Sequence, residues 1–79
     1  MIAYVKGTFA YKSPALVHVD VNGVGYEVHI SLNTYSAIQA LDKGILYTFL
    51  HIKEDAHTLY GFFAVAEKDM FIKLISISG

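Results

Sequence analysis

The residues of this sequence best placed to act on a partner are two adjacent carboxylates, Glu54 and Asp55. They lie in the charged segment 53–56, between an apolar run at 45–52 and a second strand-like run at 57–62. Asp55 suits a turn, because a short polar side chain can bond the backbone beside it. The pattern predicts a β-hairpin with an acidic tip. Charged tips are common where a turn faces water, so residue types alone leave open whether this one contacts a partner.

A second set of polar residues invites a metal-site interpretation: His18, Asp20, Glu27 and His29. Imidazole and carboxylate groups suit zinc, but these residues are spread along one sheet face without the convergent spacing of a metal site. We predict an ordinary solvated face with a contact between His18 and Glu27. The serines lack a recognisable His-plus-acid motif, and there is no phosphate-binding loop. We therefore predict no catalytic residue, no metal and no cofactor.

Length and composition indicate a single small domain. The chain has 79 residues, is 54% hydrophobic and has a mean hydropathy of +0.44. A domain of this size buries only about three fifths of its unfolded surface, so this one is more apolar than it needs to be. We infer that other subunits, or further chain, cover part of its apolar surface.

Charge and cysteine content exclude several classes of protein. The formal net charge is −1, with lysine as the only strongly basic residue type, whereas a nucleic-acid-binding domain usually carries a basic excess with arginine. This segment alone should bind nucleic acid weakly or not at all. The absence of cysteine excludes a disulfide scaffold and fits a reducing compartment. With no leader pattern and no long apolar run, we expect a cytoplasmic protein without membrane contact.

The first half of the chain predicts three strands. Residues 1–12 form the first, where Gly7 suggests either a bulge or bend, or a weak point in an edge strand. Residues 15–21 form the second. Asn22-Gly23 predicts a type I′ hairpin turn, which would place Val21 opposite Val24 and put a series of apolar pairs on one face.

The second half completes the architecture. Ser31 or Asn33 should begin a short helix that continues to about residue 40, with Tyr35, Ile38 and Leu41 facing inward. The strand at 45–52 should have little solvent on either face. Five strands with a helix between the third and fourth predict a mainly β protein, a Greek-key barrel of the OB-fold type.

A second helix is predicted at about 64–78, with apolar residues over too much of its circumference for a solvated helix. Its composition indicates an additional neighbour. We expect residues 1–63 to form the barrel and residues 64–79 to form a helix leading into a further domain, with the chain ending at a domain boundary.

Four motifs in order resemble the N-terminal domain of the RuvA family: MIAYVKG at 1–7, VNGVGYEV at 21–28, EDA at 54–56 and LYGF at 59–62. The resemblance implies an OB-fold in a non-motor subunit that recognises four-way DNA junctions during branch migration. It implies a homotetramer, sometimes paired as an octamer. It also implies two DNA-gripping helix-hairpin-helix motifs and a domain for the ATP-hydrolysing RuvB motor, both outside this chain, and an encounter with the RuvC resolvase.

The same resemblance implies a role for the acidic tip, since Glu54 and Asp55 match an acidic pin at the junction centre. Where family members tend to carry Arg or Lys near the start of the first strand, this chain has Ala3 and Tyr4. Lys6, Lys12 and Lys53 are the cations near the matched motifs, and Lys6 and Lys53 are candidates for a weak DNA contact.

Two alternatives to the junction subunit stay open. One is a free-standing OB-fold module that binds oligonucleotides or oligosaccharides through exposed tyrosines among Tyr4, Tyr11, Tyr35 and Tyr47. The other is a module that only oligomerises. The first predicts ligand binding by this segment alone, and the second predicts self-association without a ligand.

Overall fold

The computed structural model describes residues 1–78 and forms five strands and two helices. Their order confirms the prediction from the sequence. The elements are β1 (Tyr4–Lys12), β2 (Leu16–Val21), β3 (Val24–His29), α1 (Leu32–Ile38), β4 (Lys43–Ile52), β5 (His57–Phe62) and α2 (Val65–Ser78). Neither helix in residues 1–78 is both long enough and apolar enough to cross a bilayer.

The five strands close into a barrel in the order β1-β2-β3-β5-β4, with β4 returning to β1. All neighbours are antiparallel except β3 and β5, which are parallel where His29 lies opposite Tyr60. Between β3 and its parallel neighbour β5 the chain passes through α1 and β4. This topology is that of an OB-fold and confirms the predicted mainly β class.

The β2–β3 hairpin has the predicted register. Asn22 and Gly23 both take positive φ, at 52° and 90°, and Val21 lies opposite Val24. The Asp20 carboxylate accepts a hydrogen bond from the Gly23 amide at 2.8 Å, which holds the turn. Val17, Val19 and Val28 consequently point into the barrel and are fully buried.

The barrel core also contains two hydroxyl groups, each with a partner. Thr48 donates a hydrogen bond to the Ile2 carbonyl at 2.6 Å, and the Thr34 hydroxyl accepts one from the Phe63 amide at 3.3 Å. A buried hydroxyl without a partner would be costly, so these bonds explain how both threonines are accommodated. They also tie the N-terminal segment and the end of β5 to the core.

Of the alternatives predicted for Gly7, the bulge is wrong in its position, and the edge strand is wrong because β1 is paired on both sides in the closed barrel. Gly7 pairs regularly with Gly44, and the irregularity in β1 lies between Phe9 and Tyr11. The extra residue there reverses the facing of the strand, so Phe9 is buried whereas Tyr11 is exposed. Gly7 is instead a point of close approach, because a Cβ atom there would collide with the Asp20 carbonyl oxygen.

Helix α1 begins as predicted at Ser31, whose hydroxyl accepts a hydrogen bond from the Thr34 amide at 3.2 Å. Ile38 is fully buried, but the prediction that Leu41 faces inward is wrong: it is 40% exposed. The helix ends at Ile38, and Leu41 lies in the turn that follows, so helical spacing no longer determines its direction.

Helix α2 packs against the outer face of β4 and β5 through one aromatic side chain. The Phe71 ring lies 5.1 to 6.0 Å, between centroids, from the rings of Tyr60, Phe62 and Phe49. The prediction that β4 has little solvent on either face holds for residues 46–51, which are buried or half-buried, and fails at the two ends of the run, where Ile45 is 36% and Ile52 62% exposed. Val65, Met70 and Leu74 are exposed on α2.

Candidate functional site

The acidic tip lies at the end of the β4–β5 hairpin, as predicted. The two strands pair in register as far as Ile52 opposite His57, and the Lys53 amide donates to the Ala56 carbonyl at 2.8 Å to close the turn. Glu54 and Asp55 occupy the apex and are exposed. Within residues 1–78 neither carboxylate forms a hydrogen bond or an ion pair, so both charges are available to a partner.

The hairpin extends past the strand that supports its base. β4 pairs with β1 from Lys43 to Tyr47, and the Thr48 amide makes a last bond to the Ala3 carbonyl at 2.9 Å. From Phe49 to Ile52 the strand pairs only with β5. Lys53 therefore stands roughly 20 Å along the strand from Tyr47, at about 3.3 Å per residue. Because the closed barrel fixes the base of the hairpin, it also fixes the direction in which the tip projects.

The structure does not bring the two lysines proposed for a DNA contact together. Lys53 adjoins the carboxylates at the tip, whereas Lys6 lies opposite Ile45 near the other end of β4. The third cation, Lys12, is already engaged. Its ammonium group donates to the carbonyls of Ile38, Gln39 and Leu41 at 3.4, 2.9 and 2.6 Å, at the C-terminal end of α1.

The chemistry that the tip offers to a partner is mainly charge. A pair of carboxylates with Lys53 beside them has a net negative charge, which repels phosphates and attracts cations. No cluster of three metal-ligating side chains occurs in residues 1–78. On the β2–β3 face, His18 and Glu27 make the predicted contact at 3.6 Å between Nε2 and Oε1. Tyr11 lies beside His18, with ring centroids 5.1 Å apart.

Three features of the molecule were not predicted. The bond from Lys12 to the end of α1, the buried Thr34 and Thr48, and the anchoring of α2 by Phe71 all join segments far apart in sequence. For Phe71 a signal was present, because aromatic residues at 49, 60 and 62 occupy the same face of a predicted hairpin. For Lys12 the sequence holds no local signal.

Fold and tip together define an OB-fold domain that presents an exposed acidic hairpin from a closed barrel. The family model described as the RuvA N terminal domain matches residues 1–61. The chain belongs to the RuvA family, as its motifs indicated.

Curated relatives agree with this family. The chain is 54% identical over 79 residues to the Holliday junction branch migration complex subunit RuvA of Cytophaga hutchinsonii, covering 100% of this chain and 40% of that protein. It is 49% identical over 80 residues to the protein of that name from Amoebophilus asiaticus, and the match covers 100% of this chain and 41% of that protein. It is 53% identical over 79 residues to the protein of that name from Bacteroides fragilis, and the match covers 100% of this chain and 39% of that protein. The chain thus spans about two fifths of the length of these relatives.

Proposed function

We propose that this chain is the N-terminal domain of a subunit that recognises four-way DNA junctions in branch migration, and that Glu54 and Asp55 stand at the junction centre. The observation that supports this most is the pair of exposed, unbonded carboxylates at the end of a hairpin that projects from its barrel. Relatives named as Holliday junction branch migration complex subunits match the chain over its whole length.

The proposed role of the carboxylates is selective repulsion. Where a carboxylate meets a phosphate at about 4 Å, the repulsion is about 1 kcal/mol in water and greater where water is excluded. Such groups contribute specificity rather than affinity, because they disfavour a continuous duplex across the centre and hold crossing strands apart. The attraction for DNA phosphates comes from basic groups elsewhere in the natural protein. Lys53 and Lys6 contribute weakly to it.

The rest of the assignment follows the family. Residues 1–63 form the barrel domain, and residues 64–79 lead toward a DNA-gripping domain. Four copies surround one junction as a homotetramer, and two tetramers pair as an octamer on some junctions. ATP hydrolysis belongs to the RuvB motor, so this chain is not an enzyme by itself. RuvC meets the same junction, and the complex works in the cytoplasm in recombination and repair.

The test uses the full natural protein with Glu54→Gln and Asp55→Asn together. We expect its affinity for plain duplex to rise about fivefold for each phosphate contact that loses its repulsion. Strand separation at the centre of a synthetic four-way junction, followed by a fluorescent base analogue, should decrease. Gel-shift titrations at fixed salt concentration measure the affinities.

The matched control is Glu67→Gln with Asp69→Asn on α2, which removes one glutamate and one aspartate charge away from the tip. It should leave duplex affinity and strand separation close to those of the natural protein. If the tip variant behaves like this control in both measurements, the proposed role of Glu54 and Asp55 is wrong.

A further inference from the structure

An open groove lies on the outer face of β1 and β4, at the opposite end of β4 from the acidic tip. Its volume is about 740 Å³, within the range of small-molecule sites. Gly7 and Gly44 lie opposite each other at its base. The side chains that line it are those of Lys6, Thr8, Lys43, Ile45, Tyr47 and Phe63.

Two cations lie side by side in this groove. Lys6 is opposite Ile45 and Lys43 is opposite Thr8, so the two lysines are diagonal neighbours on one face of an antiparallel pair. Both are exposed, and no carboxylate of residues 1–78 lies within 4.0 Å of either ammonium group. Lys12 and Lys68, by contrast, donate to backbone carbonyls. Both ammonium groups therefore face solvent without an ion pair, although Asp42 adjoins Lys43 in sequence and Asp20 lies opposite Thr8.

Two aromatic side chains line the same groove. Tyr47 is held in the sheet from both sides, opposite Tyr4 on β1 and Phe62 on β5. Phe63 is 45% exposed, and its amide is fixed by the bond to the Thr34 hydroxyl. Tyr47 is half-buried. An accessible ring on a fixed backbone is a stacking platform for a nucleobase, and bases of any sequence can use it.

We propose that this groove binds a nucleotide, with its phosphate between Lys6 and Lys43 and its base against Tyr47 or Phe63. Charge complementarity favours an anion, and the exposed Phe63 ring with the half-buried Tyr47 ring favours an anion that carries a flat aromatic group. A segment of single-stranded nucleic acid and a free mononucleotide both have this chemistry. An acidic peptide would satisfy the lysines but would leave the rings without a stacking partner.

This site goes beyond the proposed function of the tip and is separate from it in space. From Ile45 to Lys53 the strand covers roughly 26 Å, at about 3.3 Å per residue. A substitution in the groove therefore leaves Glu54 and Asp55 unaltered. The cross-linking test of the groove and the duplex-affinity test of the tip can therefore fail independently of each other.

The experiment is photochemical cross-linking of the full natural protein to an oligothymidylate that contains 5-iodo-deoxyuridine, which reacts with aromatic side chains stacked on the base. Mass spectrometry of the digested protein then identifies the linked residue. We expect cross-links at Tyr47 or Phe63, with a yield that falls as salt concentration rises. Lys43→Gln should lower that yield about fivefold, the effect of one cation–phosphate contact in water.

The matched control is Lys73→Gln, which removes the same charge from an exposed position on α2. It should leave the yield at Tyr47 and Phe63 unchanged. Phe63→Leu provides a second variant, which should abolish cross-linking at that position while Lys43→Gln still lowers any yield at Tyr47.

Competition distinguishes the source of the ligand. If free thymidine monophosphate suppresses the cross-link as well as unlabelled oligothymidylate does, the groove is a mononucleotide site; if only the oligomer does, it is a single-strand site. Both results support the proposal. It is overturned if neither ring is cross-linked, if Lys43→Gln and Lys73→Gln give equal yields, or if polyglutamate competes and thymidylates do not.

Discussion

The ring of Phe71 lies 5.1 Å from the ring of Tyr60, and this contact joins α2 to the barrel. Tyr60 lies opposite Phe49 on the outer face of the β4–β5 hairpin, and Phe71 reaches both. Aromatic pairs at this separation contribute about 0.5–1.5 kcal/mol beyond the area they bury. One side chain therefore does much to hold the helix on the hairpin that carries the acidic tip.

Replacing Phe71 by alanine should loosen α2 from the barrel. Because Phe71 is only partly buried, we expect a loss of about 3 kcal/mol in the free energy of unfolding, the lower end of the usual cost for a buried Phe→Ala change. Amide hydrogen exchange should accelerate in Val65–Ser78 more than in the strands. The control is Met70→Ala, since Met70 is 65% exposed and should cost little. Equal exchange in α2 of both variants would contradict the anchoring role.

Replacing Lys12 by methionine should destabilise the end of α1. The change keeps an unbranched apolar stem but removes the ammonium group that bonds three carbonyls at 2.6 to 3.4 Å. We expect the free energy of unfolding to fall by about 1.5–3 kcal/mol, the contribution of hydrogen bonds to a charged group. Denaturant titration of the chain measures this loss. Lys73→Met, at an exposed position on α2, should change stability by less than about 0.5 kcal/mol.

Replacing Gly7 by alanine should strain the closure of the barrel. A Cβ atom at residue 7 would collide with the carbonyl oxygen of Asp20, which is backbone and cannot rotate away. We expect a loss of at least about 2 kcal/mol, since overpacking that forces backbone shifts costs about 1–3 kcal/mol. Gly25→Ala is a stringent control, because Gly25 also lies in a strand but a Cβ there meets nothing within 4 Å. Thermal unfolding of the two variants should separate them clearly, and similar midpoints would refute this account of Gly7.

The parts of the fold that could be predicted are those determined by local chemistry. Asn22-Gly23 specifies its turn, and the turn specifies the pairing of Val21 with Val24 and of every later pair in that hairpin. Ser31 begins α1 because a hydroxyl can accept the amide of Thr34 three residues on. The tip was predictable for the same reason, since Glu54 and Asp55 lie between two strand patterns.

The features that could not be predicted depend on contacts between distant segments. The direction of Leu41 depends on where α1 stops, and helical spacing does not carry that information past Ile38. The role of Gly7 depends on Asp20, which approaches it only after the barrel closes. The groove is formed by β1, β4 and the residue after β5, so Lys43 and Phe63 have no relation visible in the sequence.

The double pairing of β4 has a consequence for how far the carboxylates can reach. β4 is bonded to β1 at its base and to β5 beyond it, and a shift of one residue would turn Leu46 outward and Tyr47 inward. A single inserted residue would need a bulge such as the one in β1, whereas inserting or removing two residues in each strand changes the length of the projecting arm without one. Each such step moves the tip by about 7 Å and leaves every face of the hairpin as it was. Reach is thus a stepwise property of this scaffold, adjustable without redesign of the core.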